Sequence, residues 1–69
     1  MTNELDTGLP SVRQVQTFIK DKTGVEVKLT TGDILHGQIV WQDPQYFRLV
    51  TGQQEGFLLY RAHVVYIKG

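Results

Sequence analysis

The sequence predicts a mainly β domain, in which an N-terminal helix is followed by a strongly bent, five-stranded antiparallel sheet that forms a small open barrel. Apolar and polar residues alternate from Val25 to Leu29, which is typical of a half-buried strand. Gly32 and Asp33 then supply a tight turn, and a second strand follows at once. Gly37 in the middle of that strand has no side chain to pack, which indicates a sharp bend or a close approach of two backbones.

Apolar side chains three and four residues apart predict an amphipathic helix that begins at Ser11. They are Val12, Val15, Phe18 and Ile19. Ser11 and Gln14 fit a capping box, in which each side chain bonds the backbone N–H of the other. Gly24 predicts the C-terminal stop, with Lys20 and Lys22 near the negative end of the helix dipole.

Trp41 ends the second predicted strand. Alternation along that strand places it on one face with Leu35, Gly37 and Ile39. Its indole is therefore interpreted as a core or sheet-surface anchor, whereas an exposed Trp41 would indicate a partner site. His36 lies on the other face among polar neighbours and is interpreted as a solvated side chain rather than a ligand.

Three more strands complete the predicted sheet. The third spans 46–50, with Phe47 and Leu49 on one face, and short apolar strands follow at 57–60 and 64–67. Short apolar strands at the end of a small sheet expose unpaired backbone groups. Pairing of the fourth strand with the fifth strand of another copy would make a head-to-tail contact that closes into a ring. The alternative is a monomeric barrel closed by its own strands.

Composition limits the function classes. Seven basic and seven acidic residues cancel in this 69-residue chain, so nucleic-acid binding would have to come from local patches. The chain has no cysteine and only two histidines, which favours oligomerisation over disulfides or metals as the added source of stability. No residue spacing supports an enzyme, a metal site or a cofactor. A cytoplasmic protein without membrane insertion is expected, with a flexible tail at 1–8 and one domain at 9–69.

Residues along most of the chain carry a family resemblance. They are Val25, Leu29, Gly32, Gly37-Gln38-Ile39 and Asp43, followed by Tyr60-Arg61. With one helix and five strands, this pattern resembles the Sm-like fold and, within it, bacterial Hfq, over about residues 11–67. The resemblance implies a homohexameric ring and RNA chaperone activity on small regulatory RNAs and messages, that is, post-transcriptional regulation. The subunit interface would contain Leu58, Leu59, Tyr60, Val64, Val65 and Tyr66.

The resemblance also implies an RNA site on the pore face of the ring. The corresponding residues here are Ser11, Gln45, Tyr46, Arg61 and His63. Ala62 stands where the family has a histidine, and His63 is displaced by one residue. His63 is interpreted either as part of a ring of histidines around the pore or as a loop residue. Arg61 is interpreted either as an anion ligand or as a hydrogen-bond donor between subunits, and Tyr60 as interface packing rather than a base platform.

Two weaker RNA surfaces follow from the same resemblance. Lys20 and Lys22 occupy two positions of the family's arginine cluster on the outer rim, and their alternative interpretation is a solvated helix end. On the opposite face, Lys28 stands where the family has a stacking aromatic, with Gly32 nearby. These departures resemble a divergent cyanobacterial branch of Hfq that is associated with type IV pilus function and with protein contacts.

Two functions are therefore expected from the sequence. The first is an Hfq-like, ring-forming RNA-binding regulator with weakened or altered RNA sites. The second is a protein-interaction scaffold, for example one associated with type IV pilus machinery, with little direct RNA binding.

Overall fold

The computed structural model describes residues 5–69, so part of the predicted tail at 1–8 lies outside the described residues. The elements are α1 (Pro10–Lys20), β1 (Val25–Leu29), β2 (Ile34–Gln42), β3 (Tyr46–Thr51), β4 (Gly56–Tyr60), a 3-10 turn (Arg61–His63) and β5 (Val64–Lys68). The strands form one antiparallel sheet in the order β4-β3-β2-β1-β5. The predicted fold class is thus confirmed, and β4 and β5 lie at the two edges of the open sheet.

Helix α1 begins one residue earlier than predicted, and Ser11 does not cap it. The N-cap is Leu9, which makes no side-chain capping bond, and Pro10 occupies the first turn. Proline is common at this position because its ring fixes φ at a helical value and because it lacks the N–H that would be unpaired there. The predicted apolar stripe is confirmed, since Val12 and Val15 are buried against the sheet.

The end of α1 also differs from the prediction, because the helix stops at Lys20 and not at Gly24. Lys22 takes a φ of 53° and closes the helix in the left-handed conformation. Its N–H donates to Ile19 O (3.3 Å), and Thr23 N–H donates to Phe18 O (3.0 Å). These two bonds form a Schellman motif, which satisfies carbonyls of the last turn and offsets the strain at a non-glycine residue.

The core lies between α1 and one face of the sheet. Its buried members are Val15, Val25, Val27, Ile39, Phe47, Leu49 and Leu59. Partners across the strands share this face, as in the pairs Val27 with Leu35 and Ile39 with Leu49. We call this the core face, and the opposite face of the sheet the outer face. The predicted inward positions of Phe47 and Leu49 are confirmed, since these side chains are buried.

The predicted β1–β2 turn is confirmed at Gly32, whose φ is 93°. Gly32 N–H donates to Leu29 O, and Leu29 N–H donates to Asp33 O, both at 2.9 Å. The Asp33 carboxylate does not bond its own backbone. It accepts a hydrogen bond from the Thr31 hydroxyl at 2.8 Å, so the two side chains brace the turn together.

Gly37 allows the backbones of β2 and β3 to meet. A Cβ added at Gly37 would overlap Val50 O and lie 2.8 Å from Val50 C and 2.9 Å from Thr51 Cα. Every one of these atoms belongs to the backbone, so no side chain can rotate away to make room. The predicted close approach at Gly37 is therefore confirmed.

A β-bulge at Val40 corrects the prediction for Trp41. The register with β3 shifts between Ile39, which pairs with Leu49, and Trp41, which pairs with Arg48. Val40 is the additional residue, and an additional residue reverses the facing of everything after it. Trp41 consequently leaves the face of Leu35, Gly37 and Ile39 and lies on the outer face, 44% exposed.

We expect Gly37→Ala to lower the free energy of unfolding by about 1–3 kcal/mol, because the new methyl group overpacks rigid backbone. Urea denaturation at one fixed protein concentration measures the change. Gly52→Ala is the matched control, since nothing lies within 4 Å of a Cβ at Gly52, and it should change stability by less than about 0.5 kcal/mol. Equal effects of the two substitutions would show that the contact at Gly37 does not constrain the fold.

Candidate nucleic-acid interface

Arg61 lies at the centre of the candidate site, directly after β4. Its backbone N–H donates to Gln45 O at 2.6 Å. In the side chain, Nη2 donates to Gln42 Oε1 and to Asp43 O, both at 2.8 Å, and Nε donates to Asp43 O at 3.3 Å. Three of the roughly five guanidinium N–H donors are thus engaged within residues 5–69, and the two on Nη1 are left for another acceptor.

The Arg61 guanidinium is also packed against an aromatic ring. Its Cζ lies 4.1 Å from the centroid of the Phe47 ring, within cation–π range. Burial lowers the pKa of Arg61, and the negative charge of Asp43 opposes this by raising it. Since an arginine titrates far above neutral pH, the group stays cationic and available to an anion.

Gln42 and Asp43 hold Arg61 in place, and neither was predicted as a site residue. Gln42 Nε2 donates to Gln16 Oε1 (2.8 Å) and to Val12 O (3.2 Å), which ties α1 to the Arg61 side chain. Asp43 Oδ1 accepts two backbone hydrogen bonds. One comes from the N–H of Gln45, just before β3 (2.9 Å), and the other from the N–H of Tyr46, at the start of β3 (2.7 Å). Gln42 faces α1 because of the bulge at Val40, which alternation along the strand does not reveal.

Three aromatic rings cluster around Tyr60, the residue before Arg61. The Tyr46 and Tyr60 rings are tilted with centroids 5.5 Å apart, and the Tyr60 and His63 rings meet edge to face at 5.1 Å. Tyr46 and Tyr60 are also direct partners across β3 and β4. The predicted residues Tyr46 and His63 are thus brought together by Tyr60, which is 42% exposed.

Two clefts bring the other predicted pore-face residues to Arg61. Ser11 and Arg61 both line a cleft of about 310 Å³ between α1 and β5. Gln45 and Arg61 both line a smaller cleft of about 190 Å³, which includes Tyr60. The structure therefore brings all five of these residues into one region around the 3-10 turn.

The other predicted residues lie elsewhere. Lys20 and Lys22 are exposed at the end of α1, and Gly32 lies at the exposed β1–β2 turn. Lys28 lies on the outer face, between its strand partners Ile34 and Tyr66. Among the predicted interface residues, those with exposed side chains are Leu58, Tyr60, Val65 and Tyr66. Leu59 is buried in the core, and Val64 packs against the core.

Glu26 joins three strands on the outer face. Tyr66 Oη donates to Glu26 Oε2 at 2.5 Å, and His36 Nε2 lies 3.1 Å from Glu26 Oε1. The bond from Tyr66, followed by that from His36, lowers the pKa of Glu26, and the same bond to Glu26 raises the pKa of Tyr66. The His36 side chain is 71% exposed, but it has a carboxylate partner that the sequence did not predict.

Neither a metal site nor a membrane span is found in residues 5–69. No three His, Asp or Glu side chains of this part of the chain are grouped so as to hold a metal ion. No helix there has the length and apolar character needed to cross a membrane.

Comparison with known proteins identifies the family. The model of the Hfq-related family matches residues 9–69. The chain belongs to this family. A crystal structure of an Hfq protein from Anabaena sp. is 35% identical, covers 87% of this chain and 95% of its own, and superimposes with a TM-score of 0.78.

A second solved structure shares the fold at lower identity. It is the pleiotropic translational regulator Hfq, which is 20% identical, covers 86% of this chain and 97% of its own, and has a TM-score of 0.81. A search of curated proteins found no significant match. The family and its Sm-like fold are therefore established, together with a likeness to a cyanobacterial member.

We expect Tyr66→Phe to raise the pKa of Glu26 towards its ordinary value, because the substitution removes the hydrogen bond that contributes most to the lowering. A carbon-detected NMR titration of the Glu26 carboxyl measures the change. Tyr60→Phe is the control, since Tyr60 makes no such bond, and should leave that pKa where it is. An unchanged Glu26 pKa in Tyr66→Phe would contradict the assigned cause.

The same pair predicts the direction of pH dependence. Glu26 stabilises the fold above its unfolded-state pKa, and this contribution is lost as pH falls through its lowered folded-state pKa. Tyr66 stabilises the fold below its unfolded-state pKa, and this contribution is lost as pH rises through its raised folded-state pKa. Together they stabilise the folded state most at pH values between the unfolded-state pKa of Glu26 and that of Tyr66, an interval that includes neutral pH.

Proposed function

We propose that this chain acts in the cytoplasm as a non-enzymatic, ring-forming RNA-binding regulator of the Hfq type. It contacts single-stranded RNA of small regulatory RNAs and messages through Tyr46, Arg61 and His63. The observation that supports this most is the cluster of Tyr46, Tyr60 and His63 rings at the end of β4, where the chain continues into Arg61, a cation with two donors left. Stacking surfaces beside a positive charge are what single-stranded nucleic acid requires.

Each residue has a separate role in this proposal. A base stacks on Tyr46, and the Nη1 donors of Arg61 bind a phosphate, with His63 at the side of the platform. The contact with RNA is weak because most Arg61 donors already form hydrogen bonds to Gln42 and Asp43, and because the chain has no net charge. Lys20, Lys22 and Lys28 add at most single phosphate contacts.

We propose a homohexamer as the working form. Strands β4 and β5 lie at opposite edges of the open sheet, so a β4–β5 contact between copies can repeat around a ring. Exposed apolar side chains line these edges, with Leu58 54% and Val65 57% exposed. The ring hides these side chains and pairs the edge backbone groups.

Titration of the purified protein with uridine-rich and adenine-rich oligonucleotides at two salt concentrations tests RNA binding. We expect Tyr46→Leu to weaken uridine-rich binding by about 1–3 kcal/mol through lost stacking. Arg61→Gln should reduce the slope of log affinity against log salt by about 0.7, the value for one phosphate of a single strand. Lys68→Gln, at an exposed lysine that belongs to none of the proposed RNA surfaces, is the control and should leave uridine-rich binding unchanged.

Arg61→Gln also removes the bonds to Gln42 and Asp43, so its thermal unfolding is measured in parallel. Arg61→Lys keeps the charge and separates the two effects: it should retain the salt slope while losing part of the stability. If neither oligonucleotide binds the wild type at low salt, or if Tyr46→Leu binds as well as the wild type, the proposal fails.

Mass measurement in solution at low micromolar concentration tests the ring. We expect the wild type to be a hexamer and Val65→Glu to be a smaller species, because the substitution places a carboxylate at the paired edge. Thr17→Glu, at an exposed position of α1, should keep the wild-type mass. A folded wild-type monomer at this concentration would exclude the ring.

A protein-interaction scaffold with little RNA binding is the second candidate function. It is favoured by the exposure of Trp41, since tryptophan is enriched among residues that dominate protein–protein contacts. Capture of partners from native extract treated with nuclease tests it, because partners that persist cannot depend on RNA. Loss of every partner after nuclease treatment would leave RNA binding as the sole function.

A further inference from the structure

The outward face of α1 carries an arginine that belongs to none of the RNA surfaces proposed above. Arg13, Thr17 and Lys20 follow one another at intervals of four and three residues, which places them on one stripe of the helix. Val12 and Val15 form the buried side of α1, whereas all three residues of this stripe are exposed. Two turns of helix, about 10 Å, separate Arg13 from Lys20.

The structure engages Arg13 through its backbone. Its N–H donates to Leu9 O at 3.0 Å, and its carbonyl accepts from the Thr17 hydroxyl at 3.1 Å. No hydrogen bond or ion pair within residues 5–69 involves the guanidinium, so its five N–H donors are left for an external acceptor. Arg13 therefore offers an anion more donors than Arg61 does, and in the planar fork that suits phosphate.

A groove connects Arg13 with the pore-face residues. A cleft of about 300 Å³ runs along the first two turns of α1, and its lining consists of Pro10, Arg13, Gln14 and Thr17. We call this cleft the α1 groove. Gln14 also lines the cleft of about 310 Å³ that contains Ser11 and Arg61. Because the two clefts share this side chain, a strand bound at Arg61 can continue into the α1 groove.

The α1 groove stays open in the proposed ring. All four of its lining residues belong to α1, whereas the ring pairs the edge strands β4 and β5. The charge of the helix also favours an anion, since Pro10–Lys20 contains two cations and no carboxylate. The nearest acidic residues along the chain are Asp6 and Asp21, and Asp6 already accepts a hydrogen bond from Gly8 N–H at 2.9 Å.

We propose that Arg13 binds a phosphate of the RNA strand where it leaves the pore-face site, so that the α1 groove extends that site. No aromatic ring lines the groove, which gives a base nothing to stack on. The contact is therefore made with the sugar–phosphate backbone and does not depend on base sequence. The inference rests on the RNA-binding function proposed above, to which it adds a residue and a direction for the strand.

The length and backbone of the oligonucleotide provide the test. A six-nucleotide oligouridine is compared with the same strand extended at either end by six abasic ribose–phosphate units. Abasic units cannot stack, so any gain from them comes from backbone contacts. We expect the extension to tighten binding to the wild type about two- to fivefold, as for one exposed charge contact. The slope of log affinity against log salt should become steeper by about 0.7.

Variants of Arg13 identify the contact. Arg13→Gln should lose most of the gain from the extension and keep the wild-type affinity for the short strand. Arg13→Lys should retain the steeper salt slope, because it keeps the charge. Lys68→Gln removes an exposed lysine outside the α1 groove and is the charge-matched control, which should keep the gain. Arginine and glutamine have similar helix propensities, so urea denaturation should give Arg13→Gln the wild-type midpoint.

Three results would overturn the proposal. Arg13→Gln could bind the extended strand as tightly as the wild type does. It could weaken the short and the extended strand by the same factor, which would make Arg13 an indirect support of the pore-face site. Lys68→Gln could lose the gain to the same extent, which would attribute the gain to overall charge rather than to the α1 groove.

These results are distinguishable from failure of the proposed function. If Tyr46→Leu loses RNA binding while Arg13→Gln behaves as the wild type, the pore-face site stands and the α1 groove is refuted. If Tyr46→Leu binds the short strand normally while Arg13→Gln loses the gain, the Arg13 contact stands and the pore-face site is refuted. Absence of binding of both strands to the wild type at low salt refutes both.

Discussion

The structure depends most on how β2 crosses the sheet, which is set by two neighbouring features. At Gly37, the backbones of β2 and β3 come too close for any side chain. At Val40, an additional residue reverses the facing of the strand. The first feature lets the two backbones approach, and the second turns Trp41 outwards and Gln42 inwards. The exposure of Trp41 and the support of Arg61 are thus two results of one bulge.

The Arg61 side chain has a structural role that engages most of its donors. Its donors to Gln42 and Asp43 link α1, the β2–β3 turn and the 3-10 turn, and its packing on Phe47 adds a contact to the core. Each such bond is worth about 1.5–3 kcal/mol when the donor is charged. The same bonds direct most of the fork away from any ligand. The bonds that stabilise this corner therefore leave only the two Nη1 donors of Arg61 for any anion.

The sequence predicted the fold correctly where single residues determine the local structure. It failed where the pairing register of two strands determines which way a side chain faces. Alternation located the strands, and the turn at Gly32 and the close approach at Gly37 followed from glycine chemistry. The capping box at Ser11 failed because Pro10 begins the helix, which a local motif cannot weigh. The outward facing of Trp41 and the inward facing of Gln42 were not predicted, because no local sequence pattern indicates the bulge. The family resemblance identified Tyr46, Arg61 and His63. Only the structure shows that the Tyr60 ring contacts those of Tyr46 and His63, and that Gln42 accepts a hydrogen bond from Arg61.

A small chain with weak individual contacts has one physical route to useful affinity. Both sheet edges are open, so assembly would repeat every surface of the chain around a common axis. If a flexible RNA engaged one copy of such a ring, the next copy would meet it at a high effective concentration. Contacts worth little singly then multiply in affinity without any new interaction. On such a ring, an arginine with two donors left would gain an affinity for a flexible ligand that it lacks on an isolated chain.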